Sequence, residues 1–204
     1  MAASVSSDGR YLLTGAYTGG VAILWDTQTG EEVWRLGNQV DAVLVVNISP
    51  DGQQAVIGSS DPWGDTRDGL VVLVDLVTGQ VMHALEGHEF GLRDAAFSPD
   101  GSLLLTGSLM FGAGYEDHAP CLCGELILWD AHTGEMIRRF EATQAVFDVA
   151  FSPDGKTAYT STLNPTTSIA WDVATGKKIA EYPGAIGVRP GVEPNTLVSD
   201  MRAL

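Results

Sequence analysis

The sequence predicts an all-β protein built from repeated units of short antiparallel strands. Three observations carry this. A Ser-Pro-Asp-Gly turn recurs at Ser49, Ser98 and Ser152, and Ser6-Ser7-Asp8-Gly9 is a fourth copy with Ser for Pro. A second turn, Asp-x-x-Thr-Gly, recurs at Asp26, Asp75, Asp130 and Asp172. Between the turns lie β-prone apolar runs, and no stretch longer than a turn or two has a helical period. A fixed internal period decides architecture before any single motif does.

The turns have a direct physical reading. Pro presets φ for its position, Asp bonds its own backbone, and Gly takes positive φ without a steric penalty. Their spacing shows where the unit is elastic. Successive turn aspartates, Asp8, Asp51, Asp100 and Asp154, are 43, 49 and 54 residues apart. The step from turn Asp to the Trp position is 17 residues in the first and fourth copies, 23 in the second and 29 in the third. Two copies therefore carry an insertion at one homologous point.

The runs Val21 to Trp25, Leu70 to Val74, Leu126 to Trp129 and Ser168 to Trp171 are mostly apolar without clean alternation. Such runs predict strands covered on both faces. The runs after each Thr-Gly, such as Glu31 to Leu36 and Lys177 to Tyr182, are mixed and predict outer, half-wet strands. About four short strands per copy result, antiparallel because their connections are short.

With these parts in register, the chain resembles the WD-repeat family of β-propellers over nearly all its length, with the look of a bacterial member. The resemblance rests on Trp25-Asp26, Trp129-Asp130 and Trp171-Asp172, on Gly87-His88, and on a copy length just above forty. It implies a propeller with four four-stranded blades from copies at about 1–40, 41–90, 91–143 and 144–183, and the start of a fifth at 184–204. It implies that each copy supplies three strands of one blade and the outer strand of its neighbour. With strands a to d counted from the inside out, Ser-Pro-Asp-Gly joins a to b. The insertion point joins b to c, and Asp-x-x-Thr-Gly joins c to d. Asp51, Asp100 and Asp154 then serve turns, Trp25, Trp129 and Trp171 serve blade cores, and His88 stabilises its blade.

The departures also carry expectations. Family blades often hold a hydrogen-bonded set of His, Ser or Thr, Asp and Trp. Only His88 stands in a Gly-His pair here, ahead of Thr106 and Trp129; the other copies have Gly37-Asn38 and Glu141-Ala142. Val74 replaces a Trp, and Thr18-Gly19-Gly20 stands where the first copy would carry an Asp. Apolar stacking is therefore expected to hold the blades more than a buried polar network does. Four blades and part of a fifth fall short of the seven usual in the family, so the propeller is expected to be partial. Either the chain is part of a longer one, or a second copy or partner closes the ring, or the propeller is unusually small.

Composition points to a soluble chain: 45% hydrophobic, without a run of eighteen apolar residues or a visible secretory start. A cytoplasmic location is the expectation. Net charge −15 argues against nucleic acid. Cys121 and Cys123 form no disulfide framework; with His118 they are weak metal candidates, three ligands where a structural zinc needs four. The acidic loop 61–69 does not match a calcium pattern and includes Arg67. No nucleophile elbow, His-Glu-x-x-His or phosphate loop is present, so neither catalysis nor a cofactor is expected.

Function is then expected from surface. Both insertions are b–c loops of adjacent blades, so residues 59–69 and 108–124 are expected side by side on the top face. They carry Trp63, Asp65, Arg67, Met110, Phe111 and Tyr115, residue types suited to a protein-binding hot spot. The expected role is a non-enzymatic scaffold or docking module for a protein partner. The alternative is a propeller module of a larger enzyme or redox protein.

Overall fold

The computed structural model describes residues 2–37, 42–59, 70–109, 124–142, 144–163 and 166–183. These form sixteen strands in four antiparallel sheets, and each sheet runs in chain order. The first is β1 (Ala2–Val5), β2 (Tyr11–Gly15), β3 (Ala22–Asp26) and β4 (Glu32–Leu36). The second is β5 (Val43–Ile48), β6 (Gln54–Ser59), β7 (Val71–Asp75) and β8 (Val81–Ala84). The third is β9 (Leu92–Phe97), β10 (Leu103–Leu109), β11 (Gly124–Asp130) and β12 (Met136–Arg139). The fourth is β13 (Val146–Phe151), β14 (Thr157–Leu163), β15 (Thr166–Asp172) and β16 (Lys178–Pro183). Strands β1, β5, β9 and β13 pack against one another in succession, so the sheets stack as blades of a β-propeller. The expected fifth copy, 184–204, lies outside the described residues.

One expectation is corrected. No copy lends its outer strand to a neighbour: each copy closes a whole blade by itself. The reason is the Asp-x-x-Thr-Gly turn. Gly30 N–H donates to Asp26 O at 2.8 Å, and Gly30 takes φ 73°, with its equivalents Gly79, Gly134 and Gly176 at 69°, 72° and 73°. The hairpin is a tight turn followed by a glycine in the left-handed region, and it returns the chain onto the strand it has just left. A register shift follows at the Trp position of every blade, between Leu24/Trp25, Leu73/Val74, Leu128/Trp129 and Ala170/Trp171. The bulge is thus part of the repeat.

The Ser-Pro-Asp-Gly turns share one wiring. Ser49, Ser98 and Ser152 each donate Oγ–H to Oδ1 of Asp51, Asp100 and Asp154 at 2.6 Å. Hydrogen bonds from Ser98 and Ser102 hold the Asp100 carboxyl down to about 2.

The core lies between blades. One apolar cluster joins the first and second blades, a second joins the second and third, and another joins the third and fourth. Successive residues of β6 and β7 point to opposite clusters: Val56 and Leu73 to one, Ile57 and Val72 to the other. This explains the absence of alternation in the inner runs, whose both faces are dry. Strands β4, β8 and β12 show mixed exposure, as expected for an outer position.

A second link joins blades at the rim. Trp34, His83 and Arg138 occupy one homologous position, five residues after the Thr of the Thr-Gly turn. Each reaches the corresponding turn of the next blade and donates to its backbone carbonyls: Trp34 to Leu76, His83 to His132, and Arg138 to Ala174 and Thr175. Gly176 underlies the last of these, and a Cβ there would leave the Arg138 side chain no room.

Candidate functional site

The third blade contains a buried polar chain at the root of its long b–c connection. Trp129 Nε1–H donates to Thr106 Oγ1 at 2.7 Å, and Thr106 Oγ1 lies 2.7 Å from His88 Nε2. His88 Nδ1 lies 3.2 Å from Glu125 Oε2. A carboxylate only accepts, so Nδ1–H faces Glu125, and the other nitrogen of a neutral ring accepts from Thr106. Thr106 passes its proton towards Nε2, and Nδ1–H donates to the carboxylate. The imidazole is neutral in this scheme. Burial, with the Arg139 charge adding to it, lowers the His88 pKa to about 3.

Glu125 collects further donors. The Glu89 backbone N–H donates at 2.8 Å, and Arg139 forms an ion pair with the carboxylate and donates to Gly87 O. Glu125 N–H donates to Ser108 Oγ at 3.2 Å. The cluster therefore ties together the d–a loop at Gly87 to Glu89, the outer strand β12 and both ends of the 110–123 segment. It also shows that the b–c and d–a ends of this blade lie together. The a–b and c–d turns share the other end, as Ala131 N–H donating to Ser102 O shows.

Glu125 is not singled out by the sequence, where the family resemblance implies Asp as the acid of this set. The available signal was an acid four residues before Trp129 in the one copy that has a Gly-His pair. The expectation of apolar stacking is corrected for this blade. It holds for the second, where Ile57 and Val74 stand at the Thr106 and Trp129 positions and both are buried. Trp25 and Trp171 keep the pair with Thr14 and Thr160, each at 3.0 Å. Trp129 and Trp171 are buried, whereas Trp25 is half-buried.

The second blade's long connection has a simpler root. Ser59 donates its N–H and Oγ–H to Leu70 O at 2.8 and 3.1 Å. Strand β9 passes directly over this root: a Cβ at Gly58 would overlap the Leu92 side chain. The two roots therefore stand in neighbouring blades with β9 between them. The first blade adds Tyr17, 46% exposed in its own b–c connection and not anticipated from the sequence.

Trp63, Asp65, Arg67, Met110, Phe111 and Tyr115 lie outside the described residues, as do His118, Cys121 and Cys123. Among the described residues no group of three or more His, Cys, Asp or Glu converges as for a metal ion. No helix among them is long and apolar enough to cross a membrane. At the opposite end of the blades, Pro50, Pro99 and Pro153 with Ile48, Phe97 and Phe151 line a shallow apolar depression of about 400 Å³.

Comparison with known proteins agrees with this architecture. The family profile described as WD domain, G-beta repeat matches residues 79–109 and 134–172. The WD-repeat family is thereby supported. WD repeat-containing protein SL1-17 of Schistosoma mansoni is 35% identical over 103 residues, covering 50% of this chain and 31% of that protein. WD repeat and SOCS box-containing protein 1 of Homo sapiens is 33% identical over 98 residues, 48% of this chain and 22% of that protein. Protein HIR1 of Eremothecium gossypii is 25% identical over 191 residues, 81% of this chain and 22% of that protein. The chain thus spans less than a third of the length of these relatives. All three are eukaryotic, so they lend nothing to the expected bacterial look. WD-repeat relatives imply a protein-interaction scaffold in general terms, and none of these three names denotes an enzyme.

Proposed function

We propose that this chain is a non-enzymatic docking module that binds a protein partner through the rim bearing the 59–69 and 108–124 connections. The carrying observation is that the roots of these two connections stand in neighbouring blades, the second one fixed by the Glu125 cluster. A rigid root presents a long segment at low ordering cost on binding. Trp63, Met110, Phe111 and Tyr115 supply the apolar anchors, and Asp65 and Arg67 supply polar selectivity. Tyr17 extends the same rim onto the first blade.

Replacing Trp63 and Phe111 together with Ala tests this reading. The tagged double variant keeps the wild-type melting temperature and loses at least one partner captured by the wild-type chain. Retention of every partner rejects the reading. The module acts in the cytoplasm in this view, within a larger array of blades supplied by the same polypeptide or a partner. The short coverage of the relatives supports that larger setting. It equally supports the reading in which the propeller serves an enzyme or redox domain elsewhere in a longer protein, and the flanking coding sequence decides between these two settings.

A further inference from the structure

The fourth blade lacks the polar cluster of the third, and a groove stands in its place. Glu141-Ala142 replaces the Gly-His pair, so no histidine from this loop stands over Thr160 as His88 stands over Thr106. Thr167 occupies the Glu125 position and bonds Thr162 at 2.8 Å. Glu181 occupies the Arg139 position. The space left between the third and fourth blades measures about 530 Å³, within the range of pockets that hold small ligands and peptide segments.

The walls of this groove are chemically particular. Arg138 Nε is a buried donor without a hydrogen-bond partner among the described residues, and Gln144 Oε1 is a buried acceptor without one. Both line the groove. Leaving such groups unpaired is costly, and the cost is recovered when a ligand pairs with them. One acceptor and one donor are what a peptide backbone offers. Four of the chain's eleven Lys and Arg residues also line it, Arg138, Arg139, Lys177 and Lys178, against Glu141 and Glu181. Arg139 and Lys178 are engaged by Glu125 and Glu181. No ion pair within the described residues engages Arg138 or Lys177. Asp172 attracts Arg138, which leaves Lys177 as the lining cation without a facing carboxylate among these pairs. The outer strands β12 and β16 flank it.

We propose that the groove between the third and fourth blades is a second binding site, which takes an extended peptide bearing an acidic side chain. Separate backbone groups of the peptide pair with Arg138 Nε–H and, further along the groove, with Gln144 Oε1, and the carboxylate is held by Lys177. Glu141, at the d–a end of the groove, adds a negative charge that disfavours further carboxylates there. The groove meets the rim bearing the long connections only at its d–a end, while Arg138 and Lys177 lie towards the c–d turns, so substitution of Lys177 tests this site alone.

The probe is tetraglutamate, with tetralysine as the control, titrated into the ¹⁵N-labelled full chain. The readout is the Trp171 indole N–H, which donates to Thr160 within the groove and is assigned with Trp171→Phe. Tetraglutamate is expected to shift this resonance saturably and leave that of Trp25 unmoved, while tetralysine shifts neither. Lys177→Glu weakens binding about fivefold, as expected for reversing one exposed charge pair, and Glu141→Gln strengthens it. Gln144→Leu weakens binding without lowering the melting temperature, since it removes an unpaired acceptor. Absence of a saturable Trp171 shift, an equal shift with tetralysine, or unchanged affinity in both Lys177→Glu and Gln144→Leu overturns the proposal.

Discussion

Trp34 donates its indole N–H to the Leu76 carbonyl, 2.7 Å away and one blade further along. Strand β4 is an outer strand with mixed exposure, and the ring packs half-buried against the edge of the cluster between the first two blades. It fastens the first blade to the c–d turn of the second. His83 and Arg138 repeat the link with different chemistry, which shows that a long donor at this position matters more than its identity. Trp34→Phe keeps an aromatic ring, though a smaller one, and removes the hydrogen bond, and is expected to cost about 1 kcal/mol. Trp34→Ala also removes the contact with Gly79 and is expected to cost about 2–3 kcal/mol. Urea unfolding of the two variants checks the order, and equal costs would mean that the ring contributes nothing beyond the hydrogen bond.

The same Trp–Thr pair occurs in three blades with unequal support, which makes its worth separable. Thr106 is buried and bonds both Trp129 and His88. Thr106→Val leaves two buried groups without that partner, and a cost of about 2–4 kcal/mol is expected. Thr14 is half-buried and serves Trp25, which water also reaches. Thr14→Val is expected to cost about 1 kcal/mol. Thermal unfolding of both proteins under one condition gives the comparison.

The second blade inverts the logic. Ile57 and Val74 replace acceptor and donor together, so no polar group is stranded. Ile57→Thr restores the hydroxyl alone and buries it opposite Val72 without the indole it serves elsewhere. The expected loss is about 1–3 kcal/mol, read from the midpoint of urea unfolding at constant slope.

What was legible in the sequence followed from local chemistry. Turns that need Asp and Gly at fixed offsets reveal themselves, and so do strands whose both faces are dry. The blade to which a copy's outer strand belongs was not legible, because the repeat can be counted from any starting point and only the tight c–d hairpin settles where β4 goes. Glu125 escaped because its partners come from three separate segments, His88, Ser108 and Arg139, which only the stacked sheets bring together. The links at Trp34, His83 and Arg138 escaped for a different reason. An indole, an imidazole and a guanidinium share no residue type, only a reach and a donor. Of the candidate site, the insertion points were legible as spacing, while the contribution of Tyr17 depended on exposure alone.

Asp94 and Asp148 occupy homologous positions on β9 and β13, the inner strands of neighbouring blades. Burial pushes the Asp94 carboxyl up to about 6, and the Asp148 charge adds to it. The Val149 N–H, donating to Asp94 Oδ2 at 2.8 Å, and Arg93 oppose the rise. A carboxyl raised from 3.8 binds more protons folded than unfolded, so its contribution to stability falls as pH rises from about 4 to about 6. His88 has the opposite slope: its pKa is lowered from 6.5 to about 3, so stability from it is full above 6.5 and is lost as pH falls towards 3. The two slopes overlap, and a single pH profile would show little of either. The difference between wild type and Asp94→Asn isolates the carboxyl. Asn retains an oxygen for the Val149 N–H and carries no charge. The variant is expected to match wild type near pH 4 and to exceed it by about 1–2 kcal/mol at pH 7.5. Urea unfolding at the two pH values provides the measurement, and a variant less stable than wild type at pH 7.5 would show that the charged carboxylate is needed where it sits.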